Sequence, residues 1–276
     1  MGDESRKSPD QVRERYEAWW SRVRTASKRQ IDAGETSLCR ILHRTYADTV
    51  GERASGEDFS VLWGMEVPVP YLAANRIVRD WIADTVIAAA SNTDAVIEMG
   101  SGWGYNLFNI WLRGGPDVPY HAFEYTEAGR AVARSVRDAS AGGPRIEVHP
   151  FDYYDADFAP IAGRYGRVVV FSSHSIEQIE SLPAVALEAV LGVAEEVLCL
   201  HFEPIGWQFA DETRQAIRDY GQRAYGEKHG YNKNLWPLLK DYQQRGRLTI
   251  EHTSADAMCV KTYNGTSLIR WRSNPR

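Results

Sequence analysis

Apolar positions at Val12, Tyr16, Trp19, Trp20 and Val23 recur every three to four residues among charged ones, the spacing of an amphipathic helix over about residues 9–33. Its aromatic stripe has to pack against another element. A second helix is predicted over 36–50, and the Gly, Ser, Glu and Asp cluster at 51–58 reads as a loop. Pro68 and Pro70 punctuate Trp63-Gly64-Met65-Glu66-Val67, and a third helix is predicted over 71–90.

Beyond residue 90 the pattern changes. Short apolar runs at 95–99, 120–124, 145–148, 167–171 and 197–202 alternate with helical stretches at 105–113, 127–139 and 182–194. Strands and helices alternating at this spacing predict βαβ units and a parallel sheet covered on both faces. The ending differs: 247–251 and 266–272 are strand-like, and Asn264-Gly265 supplies turn chemistry between them. A connection that short cannot hold a helical crossover, so the last strand is expected to run antiparallel to its neighbours. Helical signals at 212–225 and 234–244 flank the polar turn at 229–233. That insertion, at about 204–245, carries Trp207, Phe209, Tyr220, Tyr225, Tyr231 and Trp236, more aromatic surface than a crossover helix needs. The expected organisation is a helical extension or lid over 1–90 and an α/β core over 91–276 that carries the insertion.

Composition narrows the partners. A chain of 276 residues, 43% hydrophobic and 25% charged, suits one α/β core with helical additions. The net charge of −5 offers no general attraction to phosphate backbones, and the basic stretch from Arg6 to Arg29 reads as a solvated helix face, so nucleic acid is not an expected partner. Cys39, Cys199 and Cys259 form no CxxC pair, which fits a reducing cytoplasm. Neither a signal-peptide core nor an apolar run of roughly 18 residues is present, so no membrane partner is expected. A small-molecule substrate is expected instead, with a homodimer left open.

The chemistry concentrates where the first of these strands opens into a helix, at Glu98-Met99-Gly100-Ser101-Gly102-Trp103-Gly104. Bare glycine backbone lets a ligand approach, and the helix start offers unpaired N–H groups. A dinucleotide-binding loop requires G-x-G-x-x-G, and its sixth position here is Tyr105. The loop instead resembles the E/D-x-G-x-G-x-G motif of class I S-adenosylmethionine-dependent methyltransferases, with Glu98 two residues ahead of the first glycine. The resemblance implies a Rossmann-like sheet of seven strands, mostly parallel, with an antiparallel last strand, and S-adenosylmethionine as cofactor. It also implies that Glu98 steers the cofactor's ammonium while Gly100, Ser101, Gly102, Trp103 and Gly104 lie along its amino-acid part. An acidic loop attracts an ammonium and a sulfonium and repels a pyrophosphate.

Glu124 stands twenty residues past Gly104 at the end of the second strand, the place where an acid accepts hydrogen bonds from ribose hydroxyls. Tyr125 beside it could cover the adenine. In His149-Pro150-Phe151-Asp152-Tyr153, Asp152 resembles the acid that meets the adenine amino group and Tyr153 its stacking neighbour. Asp155 and Asp157 compete for that role, and Asp152 could equally cap a helix. Ser172 ends the fourth strand among the expected cofactor contacts.

The segment Ser175-Ile176-Glu177-Gln178-Ile179 resembles the V-L-E-H-I-like stretch of family members that act on small molecules, with Gln178 in place of the usual histidine. That strand end lies beside the transferred methyl in the family, which makes His174 the candidate base for an acceptor hydroxyl and Glu177 its catalytic neighbour. A scaffold role for His174 is the alternative. His174 and Glu177 have i, i+3 spacing but no nearby third ligand, so no metal is expected. His201 and Glu203 share one face of the fifth strand by alternation and are candidate substrate contacts or buried hydrogen-bonding groups. Trp63, Tyr71, Trp207 and Tyr231 are candidate substrate contacts in the aromatic additions. An N/D-P-P-Y motif and the double-glutamate loop of arginine methyltransferases are both missing. The function expected is methyl transfer to O or N of a small, partly aromatic metabolite. Peptide or C-methylation is the alternative, and a nicotinamide-dependent oxidoreductase or a non-catalytic nucleoside-binding module is more remote.

Overall fold

In the computed structural model, the residues described are 8–51, 57–210, 222–261 and 263–275. Most of the helix predicted over 212–225 lies outside them. Helix α1 (Pro9–Asp32) starts at a capping box in which Ser8 and Gln11 satisfy each other's backbone N–H, with Pro9 at the first helical position. Helices α2 (Leu38–Val50) and α3 (Tyr71–Ala89) follow the predicted spans closely.

Of the loop expected over 51–58, residues 52–56 lie outside those described, and the segment that follows forms strands to which the sequence reading assigned no element. Strands β1 (Glu57–Leu62) and β2 (Met65–Pro70) form an antiparallel hairpin. Its two-residue turn, Trp63-Gly64, has positive φ at both positions, 49° and 77°, the geometry that lets a turn follow strand twist. Pro68 and Pro70 are tolerated because β2 is an edge strand, where a missing N–H costs no ladder bond.

The core alternates as predicted: β3 (Ala95–Met99), α4 (Tyr105–Leu112), β4 (Tyr120–Glu124), α5 (Glu127–Ala139), β5 (Ile146–Pro150), β6 (Arg167–Ser173), α6 (Ala184–Gly192) and β7 (Glu196–Glu203). After it come α7 (Gln222–Lys228), α8 (Leu235–Gln244), β8 (Leu248–Cys259) and β9 (Thr266–Ser273). The sheet order is β2-β1-β8-β9-β7-β6-β3-β4-β5. Strands β3 to β7 are mutually parallel, and β9 runs antiparallel to both β7 and β8. The seven expected strands are β3–β9, and the hairpin pairing β1 with β8 extends the sheet to nine. This is a Rossmann-like α/β fold, with β4 and β5 on one side of β3 and β6 and β7 on the other. The reversal of strand order beside β3 opens a crevice at the C-terminal strand ends, where ligands of such sheets bind.

Strands β3 and β4 are buried along their whole length. One face of the sheet packs Ile97, Phe123, Leu187, Trp236 and Trp271 into a core with α6 and α8. The other packs Val96, Phe108, Val132 and Phe202 with Val23, Ile41, Leu42 and Ile82, so α1–α3 share a core with the sheet. Each such side chain contributes about 1.5–3 kcal/mol by leaving water. Among the described residues no helix is long and apolar enough to cross a membrane.

Trp271 on β9 is fully buried and donates its indole N–H to His201 on β7, 3.0 Å away. Trp271→Ala should therefore lower unfolding free energy by about 3–5 kcal/mol in chemical denaturation; a loss under about 1 kcal/mol would contradict the packing described.

Candidate active site

A cavity of about 930 Å³ lies at the C-terminal ends of β3, β4 and β6, beneath α1. Its floor is the turn from β3 into α4. Gly100, Gly102 and Gly104 all sit at positive φ, and two of them have a second reason to be glycine. A Cβ on Gly100 would stand 2.4 Å from Ser175 Cβ, and one on Gly102 would stand 2.6 Å from the Trp20 ring. The turn is thus as tight as the chain allows, and Gly104 caps α4 in the left-handed conformation.

Glu98, just before this turn, is 1% exposed. Its Oε1 accepts from Asn106 Nδ2 at 2.7 Å, while Oε2 has no partner. Burial pushes the carboxyl up to about 8, against the opposing pull of the Asn106 hydrogen bond and the Arg79 charge. Arg79 lies over the rings of Tyr105 and Tyr46, 4.3 and 5.0 Å from their centroids, and donates from Nη1 to Asn106 Oδ1. Its Nε is buried without a partner, as is the Ser101 hydroxyl. A buried orphan acceptor, an orphan cationic donor and an orphan hydroxyl therefore meet in one cavity wall. Unmet buried polar groups are costly, and an amino-acid zwitterion supplies what each lacks.

Glu124 is 4% exposed. Its Oε2 accepts from Gly102 N at 2.7 Å, and its Oε1 accepts from Thr126 N and Oγ1. Tyr125, Asp152 and Tyr153 complete this end of the cavity. Asp152 also caps the short turn Tyr153–Asp155, accepting from Tyr154 N at 2.8 Å, so the capping role and the cavity position coexist. Asp155 and Asp157 are exposed and do not line the cavity.

Strand β6 presents His174 in a left-handed conformation, φ 50°, uncommon for a side chain of this size and typical of functional positions. Its Nδ1 lies 3.0 Å from Glu177 Oε2 and its Nε2 lies 2.7 Å from Thr266 Oγ1. The imidazole keeps 30% of its side-chain surface, open to the cavity, while Glu177 is buried. Burial alone would lower the histidine pKa, but the charge and hydrogen bond of Glu177, backed by Glu203, outweigh it and raise it. Glu203 accepts from the backbone N–H groups of Ser175, Ile176 and Glu177 at 3.1–3.2 Å, which pins the turn that carries both groups. Burial and then the Glu177 charge hold its own carboxyl up at about 7.

Glu203 does not line the cavity. Nor does His201, whose Nε2 accepts from Trp271 and whose Nδ1–H faces Ser172 Oγ at 3.0 Å. Burial pushes this ring down to about 3, so it is neutral and belongs to the scaffold together with Ser172. Trp63 stands at the hairpin tip, 65% exposed. Trp207 and Tyr231 pack beside Gly226 and contribute no lining surface. Of the expected substrate contacts only Tyr71 lines the cavity, and of the expected cofactor contacts only Gly104 and Ser172 do not.

The structure adds residues that sequence reasoning left unassigned: Tyr16 and Trp20 from α1, Asn75 and Arg79 from α3, Tyr225, and Tyr263 and Thr266 near β9. Tyr16 and Trp20 had a signal, since both belong to the aromatic stripe of α1. That helix is held over the cavity by Glu17, whose carboxylate accepts from Glu127 N and Ala128 N at 2.7 and 3.0 Å, at the start of α5.

No family model and no curated protein matches the chain. Among solved structures it is similar to the mitomycin 7-O-methyltransferase MmcR, at 12% identity and TM-score 0.48 over 99% of this chain and 74% of that one. It is also similar to a SAM-dependent methyltransferase from Aquifex aeolicus, at 12% identity and TM-score 0.47 over 75% and 100% of the two chains. An O-methyltransferase from Bacillus cereus in complex with SAH matches at 12% identity and TM-score 0.45 over 74% and 87%.

A carboxyl with a pKa near 8 is mostly protonated at pH 7, and an ammonium-bearing ligand needs it ionised. Affinity for S-adenosylhomocysteine should therefore rise with pH up to about 8, with a proton released on binding near neutrality. Glu98→Gln should weaken binding ten- to a hundredfold, about 1.5–3 kcal/mol for a charged hydrogen bond, and flatten that pH dependence. Calorimetry in buffers of different ionisation enthalpy reads both; equal affinity and equal proton release in the variant would refute the assignment.

Proposed function

We propose that the chain is an S-adenosylmethionine-dependent methyltransferase that methylates an oxygen or nitrogen of a small, partly aromatic molecule. The observation that carries this reading is the unpartnered Glu98 Oε2, buried beside a glycine turn in the cavity wall that also holds the unpartnered Arg79 Nε. Glu98 would hold the ammonium of the cofactor's methionine part, and Arg79 its carboxylate. Glu124 and Asp152 would meet the ribose and the adenine, with Tyr125 and Tyr153 against the rings. Bound there, the cofactor supplies a methyl group already activated by a sulfonium. The volume, near the upper end of the roughly 300–1,000 Å³ of ligand pockets, leaves room for a second small molecule. The rings of Tyr71, Tyr225 and Tyr263 favour an aromatic one.

With a displacement at an activated carbon, the protein's tasks are alignment, water exclusion and removal of the acceptor's proton. Helix α1, tied down through Glu17, covers the cavity. Glu177 accepts the His174 Nδ1–H and so fixes the tautomer that leaves a lone pair on Nε2. Thr266 Oγ1 now faces that lone pair, at the position an acceptor hydroxyl would take. Glu203 preserves the alignment by holding the turn. The sheet order, with an antiparallel β9 between β7 and β8, and Tyr105 in place of the third glycine both weigh against a nicotinamide enzyme. The free thiols Cys39, Cys199 and Cys259 suit a cytoplasmic location.

His174→Ala should reduce turnover about 10²–10⁴-fold while leaving S-adenosylhomocysteine affinity within about twofold. Glu177→Gln removes the charge that raises the histidine pKa, so the rise of activity with pH should shift to lower pH. Unchanged turnover in His174→Ala would retire it as the base. Turnover is assayed by incubating the enzyme with methyl-labelled S-adenosylmethionine and panels of phenols, amines and peptides, with mass spectrometry of the product. Label on small molecules supports this reading, and label confined to peptides favours the alternative.

A further inference from the structure

Outside the cavity, β4 and β5 bring together three side chains for which methyl transfer has no use. The parallel register pairs His121 with Glu147 and Phe123 with His149, so alternation places His121, Glu147 and His149 on one face. His121 Nδ1 lies 3.1 Å from His149 Nε2, and Glu147 Oε2 lies 3.9 Å from each of these nitrogens. We infer that His121, Glu147 and His149 form a binding site for one divalent borderline metal ion of the zinc type, which staples the edge strand β5 to β4.

Two histidine nitrogens and a carboxylate oxygen are the donor set of open, three-ligand zinc sites. Bonds of about 2.0–2.1 Å in a tetrahedron separate the ligand atoms by roughly 3.3 Å. The nitrogen pair is already close to that spacing, and a small rotation of Glu147 brings its oxygen into range. The rings are held as metal ligands require. His121 Nε2 lies 2.9 Å from the Tyr165 hydroxyl, and a proton on Nε2 leaves the Nδ1 lone pair facing the other two groups. His149 is stacked on Phe123 with ring centroids 4.6 Å apart.

Arg164 fixes Glu147 through two hydrogen bonds of 2.7 and 2.8 Å, and each carboxylate oxygen keeps a lone pair for a metal. His121 is fully buried, whereas His149 and Glu147 reach the surface, so an ion enters from solvent and a water completes its coordination. Phe123 precedes Glu124, and His149 lies three residues before Asp152. A metal on these strands therefore steadies the cavity wall without entering it.

The test uses full-length, tag-free protein stripped with EDTA and then titrated with zinc chloride by calorimetry. We expect one equivalent to bind, a rise in Tm of several degrees, and the visible absorption of tetrahedral cobalt(II) when cobalt replaces zinc. His149→Ala should lower zinc affinity at least a hundredfold and Glu147→Gln about tenfold. His149 packs on Phe123 and Glu147 pairs with Arg164, so each variant is compared with its own Tm in EDTA, and the zinc-dependent rise in Tm should be lost in both. Absence of saturable one-to-one binding would reduce the cluster to an imidazole–imidazole hydrogen bond, and unchanged zinc affinity in both variants would likewise overturn the site.

Discussion

The active-site half of this molecule depends on a carboxylate that is expensive to bury. Glu98 closes a strand inside the sheet, and the chain must then turn at once into α4 without covering its free oxygen. Only glycine satisfies both the left-handed backbone and the clearance at Gly100 and Gly102, because Ser175 presses on one and Trp20 on the other. The motif is therefore a packing requirement and a ligand requirement at once. Its acid sits where the reversal of strand order leaves a crevice.

Around that point the protein gathers carboxyl groups. Glu98, Glu124 and Glu177 line the cavity, and Glu203 lies directly behind its turn. Burial raises Glu98, Glu124 and Glu203; the Glu124 charge adds to it at Glu98, and the Glu177 charge at Glu203. A cationic ligand draws such carboxyls into their ionised form, and part of the set serves structure: Glu203 holds backbone N–H groups, and Glu177 holds His174. The strain stored at His174 persists because Glu203 fixes the turn from behind while Phe202 O accepts the histidine's own N–H.

Much of this was legible in the chain. Alternating apolar runs marked where the five parallel strands lie along the chain, and the short polar link before Thr266 signalled the antiparallel ending. The β1–β2 hairpin was not readable, because Pro68 and Pro70 argue against a strand until its edge position is known. His201 and Glu203 were correctly placed on a common face, but β7 is buried on both faces, so alternation cannot separate a pocket wall from scaffold. Trp63 and Tyr231 show the converse, since an aromatic near a site carries no mark of whether it faces a turn tip, a packing layer or the ligand. Arg79 had no local signal at all; its place comes from the tertiary packing of α3 against α4.

The most direct test of the central claim, that the glycine turn and Glu98 form an S-adenosylmethionine site, is calorimetric titration of the unmodified protein with S-adenosylhomocysteine and, separately, with NADH. Saturable one-to-one binding of S-adenosylhomocysteine with no heat from NADH is the predicted result. Saturable binding of NADH without any of S-adenosylhomocysteine would contradict it.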